Sequence, residues 1–359
     1  MCRALSAAGV EPLVATTDAD GAGSLAVAFG ETTTWQGTPT IFFKKTFSES
    51  YKYSRAFAEW IDSHVQHFNV VHIHAVLSHL CLAAASACRR HGVPYVIRPL
   101  GTLAPWSLGQ KPFRKRLLLR FGGLDVLRGA AVVQYTSAEE RLGVESIFDV
   151  SRGVVVPLGV DSELLEAPVP TAVERDRRPY VLALSRLHPK KNIEALMQGF
   201  VLATAGHHRW SLVVAGTGEA GYVESLRALA KRLSADSRVR FVGWVDGDRK
   251  RELMRNASLF ALCSKHENFG VAVLEALAAG VPAVITRQVD LASEVERTRA
   301  GWVVDDVEES LRRALADAIE NPAERDARGR AAREHACQFA WPAVAAQLMR
   351  VYESVLCAA

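Results

Sequence analysis

The stretch "SKHENFGVAVLEALAAGVP", residues 264–282, carries two carboxylates, Glu267 and Glu275, with seven residues between them. From about Val271 to Ala279, apolar residues cover every side of a short helix that Gly280 and Pro282 bring to an end. A helix apolar all round is normally buried, and an ionised Glu is almost never buried without a partner. Gly270 lets the backbone approach a ligand closely, and the free N–H groups at the helix start face the same cleft. Glu275, just over one turn in, leans toward that end. A carboxylate there can accept hydrogen bonds from a vicinal diol such as ribose; the alternative is a Glu paired with a structural Arg.

A second cluster lies upstream in "LSRLHPKKN", 184–192, between a strand and a helix with Asn192 as its expected N-cap. The N-terminus of a helix carries partial positive charge, so Arg186, Lys190 and Lys191 beside it are locally unfavourable unless an anion joins them. Phosphate at a helix N-terminus among Arg and Lys is a recurrent solution. A solvated basic loop is the competing reading.

These residues need elements to position them. Short β-rich runs alternate with helical patterns: 70–75, 94–99, 130–137 and 153–159 in the first half, and 180–186, 210–216, 238–244, 257–263 and 282–286 in the second. This is an α/β pattern in two doubly wound domains, with a linker over 161–179. The expected bounds are 1–165, joined by a C-terminal helix 341–359, and 166–340. Open parallel sheets bind ligands beyond the carboxyl ends of their strands, where both clusters fall.

With 359 residues, 49% hydrophobic, 23% charged and a net charge of +4, the chain reads as globular and too mildly basic to argue for nucleic acid; aromatic residues are not interleaved with the basic ones. Six cysteines without CxxC or metal spacing suggest a reducing cytosol. No apolar run approaches the roughly 18 residues that a spanning helix needs. "KPFRKRLLLRFGG", 111–123, sets Lys111, Arg114, Lys115, Arg116 and Arg120 around Phe113, Leu117, Leu118 and Phe121. Such a helix suits an anionic membrane or packs on its own domain, and the exposure of Phe113 and Leu117 decides.

The ordered set "SRLHPKKN", "VVAGTGE", "VRFVGWV" and "HENFGVAVLEALAAGVP" resembles the donor domain of retaining glycosyltransferases of family four (group 1), and "VHIHA", "RPLGTLAPW", "TSAEE" and "VPLGVD" resemble first-domain segments of bacterial polysaccharide-building members. The resemblance runs from about Ile73 to the C-terminus. It implies the GT-B fold, two facing Rossmann-like domains with the donor cleft between them. It further implies that Arg186 and Lys191 hold the diphosphate of a nucleotide sugar, that Glu275 binds ribose, that Glu267 contacts the donor sugar, and that backbone amides near Phe269, Gly270 and Val271 complete the site. By the same resemblance Gly216 and Gly218 open room beside the donor, and 243–245 lines the base. Transfer with retention, the leaving diphosphate taking the acceptor's proton, then needs no protein nucleophile, metal or cofactor. The implied acceptor is a saccharide or lipid-linked sugar at the cytoplasmic face of the membrane.

Two departures stand out: Leu100 where many relatives carry a His, and Leu158 where Asn is common. Rival readings are a non-catalytic nucleotide-sugar binder and a nucleotide-sugar 2-epimerase. Relatives open with a strand, a Gly-rich loop and a helix, whereas "MCRALSAAGVEPLVATTD" resembles the end of that helix and the second strand. The expectation is therefore a missing first strand, an upstream extension of roughly 20–30 residues, and a first domain that is poorly stable and weakly active on its own.

Overall fold

The computed structural model describes residues 1–21, 23–47, 49, 51–110, 112–150, 152–305 and 307–358. The chain forms two compact units, one of 1–157 with 341–359 and one of 158–340.

In the first unit, strands β1 (Val14–Thr17), β2 (Thr32–Trp35) and β3 (Thr38–Phe43) form one small sheet in the order β1-β3-β2. Among the described residues β1 pairs with β3 alone, in parallel, so 11–17 is not a central strand with a partner on both sides. A second, all-parallel sheet runs β4 (Val71–His74), β5 (Tyr95–Arg98), β6 (Val132–Tyr135) and β7 (Gly153–Val155). The expected single sheet is thus divided. The two parts share one core, in which Ile41 and Phe43 of β3 join Ile73 and Ile97. Burial of both faces accounts for the Val- and Ile-rich β5 and β6.

The other face of the second sheet is covered by α1 (Cys2–Ala7) and a long C-terminal helix, Trp341–Leu356. Val344, Leu348, Tyr352 and Val355 are buried against Val96, Val132 and Leu5. The i, i+3, i+4 rows of a straight helix turn positions 344, 348, 352 and 355 inward, and Leu356 is exposed. Tyr352 stands 2.7 Å from His72 Nδ1.

Burial holds the His72 imidazole well below its ordinary pKa of 6.5, and His74 and Arg98 push it further down. In the unfolded chain His72 binds a proton near pH 6.5 and in the folded chain only at lower pH, so the unfolded state takes up the extra proton between those values. The first unit should accordingly lose stability as pH falls below about 6.5. Urea unfolding at pH 7.5 and pH 5 should show a smaller loss for His72→Gln than for wild type.

The second unit has one six-stranded sheet, all parallel: β8 (Tyr180–Leu184), β9 (Ser211–Ala215), β10 (Val239–Gly243), β11 (Leu259–Leu262), β12 (Ala283–Thr286) and β13 (Gly301–Val304), in the order β10-β9-β8-β11-β12-β13. The order reverses at β8 and β11, and the crevice at such a point is the ligand position of an open sheet. Residues 158–165, expected with the first domain, lie in this unit. Val160 N donates to Phe339 O at 2.8 Å, and Arg333 donates to the Leu164 carbonyl at 3.0 Å. The expected linker is ordered as well: Arg175 donates to the Ala279 and Gly280 carbonyls, at 2.9 Å each. Among the described residues no helix is long and apolar enough to cross a membrane.

Candidate functional site

The loops beyond the carboxyl ends of β8, β9 and β10 are tied together by backbone. Ser185 N donates to Ala215 O, Leu187 N to Thr217 O at 2.8 Å, and Gly216 N to Gly243 O at 2.7 Å. Gly216 has φ +130, and a Cβ there would lie 1.9 Å from the Ser185 carbonyl oxygen; one on Gly218 would lie 2.0 Å from that of Leu187. Both glycines allow the loop carrying Arg186 to approach this closely.

After β8, a 3₁₀ turn Pro189–Lys191 leads into helix α2 (Ile193–Ala203). The His188 ring accepts from Lys190 N at 3.1 Å. Asn192 sits at the expected N-cap position with φ 53 and makes no side-chain cap hydrogen bond, so its side chain does not satisfy the amides at the start of α2. Lys265 N donates to Lys190 O at 2.9 Å, which fastens this turn to the loop after β11. Lys191 thereby meets Glu267, and their ammonium and carboxylate groups are in contact. Burial lowers the Lys190 pKa, Glu267 opposes that, and Lys191 and Arg186 lower it further. Like charges are therefore concentrated here, an arrangement that an anion relieves.

The opposite wall is helix α4 (Val271–Ala278), preceded by Gly270 at φ +88. Phe269 is buried and packs on Phe339 with ring centroids 6.2 Å apart. Glu275 has its partner: Lys250, on helix α3 (Gly247–Asn256), lies 2.5 Å from Oε1. The alternative reading, pairing with a structural Arg, is met in kind by a lysine from another helix. Burial raises the Glu275 pKa, while the Lys250 hydrogen bond and charge oppose that rise.

Ser185, Lys191, Lys250, Glu267, Gly270 and Glu275 line one cavity of about 360 Å³, within the range of small-molecule sites. Val271 and Phe269 belong to its wall. Arg186, whose side chain is exposed, and Gly216 are not among the lining residues; each is one residue from Ser185 in sequence or across the tied loops. Trp244, after β10, is 71% exposed. Lys250 is the residue that sequence reasoning missed. "GDRKREL" looks like a surface helix, and the available signal was Lys250 lying on the side of the half-buried Leu253 and the buried Met254, three and four residues on.

Residues 170–335 match a family model described as glycosyl transferases group 1, and residues 1–164 one described as glycosyltransferase family 4. The GDP-mannose:cellobiosyl-diphosphopolyprenol alpha-mannosyltransferase of Komagataeibacter xylinus is 29% identical over 52% of this chain and 48% of that protein. A GDP-mannose-dependent alpha-(1-6)-phosphatidylinositol monomannoside mannosyltransferase of Mycobacterium tuberculosis is 32% identical over 68% of this chain and 65% of its own. The chain spans about half the length of the curated relatives it matches first. In fold it is similar to a sucrose-phosphate synthase from Thermosynechococcus elongatus, with a TM-score of 0.77 and 20% identity over 100% of this chain and 92% of that one.

Proposed function

The chain belongs to the group 1 and family 4 glycosyltransferases and has their GT-B fold, and we propose that it moves a sugar from a nucleoside-diphosphate sugar to a saccharide or lipid-linked acceptor in polysaccharide biosynthesis. One observation carries the reading: two half-buried carboxylates and two lysines share one cavity at the carboxyl ends of a parallel sheet, beside a helix start. A diphosphate answers the cations of Lys191 and Arg186, and a ribose diol answers Glu275. Glu267, held beside Lys191, contacts hydroxyls of the donor sugar, and the amides of Phe269, Gly270 and Val271 complete the contacts.

In this reading the reaction is orientation plus charge stabilisation. Lys191 and Arg186 stabilise the departing diphosphate, whose oxygen takes the acceptor's proton, and transfer proceeds with retention at the anomeric carbon. No protein nucleophile, metal or cofactor has a part in it. The names of the two mannosyltransferase relatives make GDP-mannose the first donor to test. Incubation with labelled GDP-mannose, UDP-glucose and ADP-glucose, with and without chelator, should give transfer that chelator leaves intact and a product of retained configuration. Binding without turnover would instead mark a non-catalytic binder, and epimerised donor an epimerase.

The acceptor side includes a membrane-facing segment in our reading. In the helix Pro112–Leu118 and the turn after it, Phe113, Leu117 and Phe121 are 81%, 46% and 69% exposed. Arg116 and Arg120 are exposed on the same segment, whereas Lys115 turns inward to Ser107 O at 2.5 Å; Lys111 lies outside the described residues. Aromatic side chains in water beside arginines suit an anionic bilayer surface at the cytoplasmic face. The protein should float with vesicles containing phosphatidylglycerol and not with phosphatidylcholine alone, and Phe113→Ser with Phe121→Ser should abolish flotation while leaving the melting temperature unchanged. Equal flotation of the double variant would refute the assignment.

A further inference from the structure

Lys250 has no place in the donor contacts set out above, yet its ammonium lies 2.5 Å from Glu275 Oε1 in a cavity wall where the two side chains keep only 30% and 16% of their exposure. The pair spans two helices and 25 positions, so it is a tertiary choice and not a local helix pair. The surroundings of Glu275 explain why a cation is needed. On its own helix the neighbours Leu274, Ala276 and Leu277 are fully buried and apolar. The strands beneath, β11 and β12, offer apolar side chains and Thr286. Asp161, ahead of the helix Ser162–Glu166, adds a second negative charge that disfavours ionisation of Glu275. Arg175 and Arg333 are committed to carbonyls at the far end of α4, Ala278 to Gly280. Across the cavity Lys191 is engaged by Glu267. Lys250 is left as the cation in contact with Glu275 among the described residues.

We propose that Lys250 is a positioning residue that keeps Glu275 an anion aimed into the cavity, and so sets the lower end of the pH range in which the cavity accepts a vicinal diol. The inference rests on the donor-site reading for Glu275 and adds a residue to it. A protonated carboxyl offers one acceptor oxygen fewer and turns a donor toward the diol, so the diol is held by the ionised form. Burial already favours the neutral form of Glu275, and Lys250 counters it. Without Lys250 the carboxyl takes up its proton at higher pH, and each pH unit below that point weakens diol binding by about ten-fold.

The test has two arms. In ligand-free protein carrying ¹³C-carboxyl glutamate, with Glu275 assigned by its loss in Glu275→Gln, the Glu275 titration should move to higher pH by about one unit or more in Lys250→Met and return in Lys250→Arg. In the second arm, calorimetric titration with GDP and with UDP at pH 8, 7 and 6 should show the ratio of Lys250→Met affinity to wild-type affinity falling with pH, by up to about ten-fold per pH unit below the variant's Glu275 titration point, while Lys250→Arg follows wild type. A Lys250 that merely packs would weaken binding equally at every pH and leave the Glu275 titration in place; either result overturns the inference. Wild type that binds neither nucleotide at any pH overturns the donor-site reading instead, and the carboxyl titration then decides whether Lys250 holds Glu275 ionised.

Discussion

Lys191→Ala should lower kcat about 10²- to 10³-fold, the loss of about 3 kcal/mol that follows removal of one preorganised donor from developing charge. The side chain is preorganised in the physical sense. Its turn is pinned at one end by the hydrogen bond from Lys265 N to Lys190 O, and its ammonium, with 14% of its side chain exposed, already rests on Glu267. Little reorganisation is needed for one of its three N–H donors to reach a diphosphate while another stays on Glu267. Arg186→Ala should cost less, because that guanidinium is exposed and water screens it. Removing Lys191 also leaves Glu267 without its cation, so part of any loss could come from the fold. Thermal unfolding of Lys191→Ala separates the two effects: a melting temperature equal to that of wild type assigns the fall in kcat to the lost diphosphate contact, and a lowered one to the unpaired carboxylate. A Lys191→Ala protein with wild-type kcat and wild-type affinity for GDP-mannose and UDP-glucose would refute the assignment of Lys191 to the diphosphate.

Gly216→Ala should be among the most damaging single methyls in the second unit. A Cβ at that position would lie 1.9 Å from the Ser185 carbonyl oxygen, and both atoms belong to or sit on backbone, so no flexible side chain can move aside. The φ of +130 adds strain for any L side chain. Overpacking of side chains costs about 1–3 kcal/mol, and a clash between backbones that also breaks the Ser185-to-Ala215 and Gly216-to-Gly243 hydrogen bonds should exceed it. Either the unit unfolds tens of degrees lower or the loop bearing Arg186 is displaced, and both abolish donor binding. Gly270→Ala is the comparison. Its φ of +88 is unfavourable, but the nearest atom, a Val289 methyl carbon, is 3.1 Å away and can yield a few tenths of an ångström. It should cost about 1–2 kcal/mol. Thermal unfolding of the two variants side by side decides the matter, and a Gly216→Ala melting temperature equal to that of Gly270→Ala would show that the close approach is not needed.

Alternating β-rich and helical runs were enough to find five of the six strands of the second unit, all but β13 at the sheet edge, because a parallel sheet covered on both faces needs near-continuous Val, Leu, Ile and Ala that no surface segment carries. The cations of 186–191 and the carboxylate of Glu275 were legible for a related reason. Each is unfavourable where it stands, a positive charge at a helix start or a negative one inside an apolar helix, and local sequence exposes such a conflict. What resolves the conflict is not local. Glu275 is met by Lys250, 25 positions upstream, because α3 packs beside α4, and Lys191 meets Glu267 because one backbone hydrogen bond fastens two loops 76 positions apart. The division of the first unit's strands into two sheets is equally invisible in periodicity, since alternation and apolar runs specify that a segment is extended and not which edge it pairs with. By itself the sequence determined the four strands of the first unit's all-parallel sheet, five of the second unit's six and which side chains carry an uncompensated charge, since these follow from neighbours within a turn or two of the chain. Only the tertiary structure decided the partner of each charge and the residues that share the cavity, because those depend on which loops the strand order brings to the same end of the sheet.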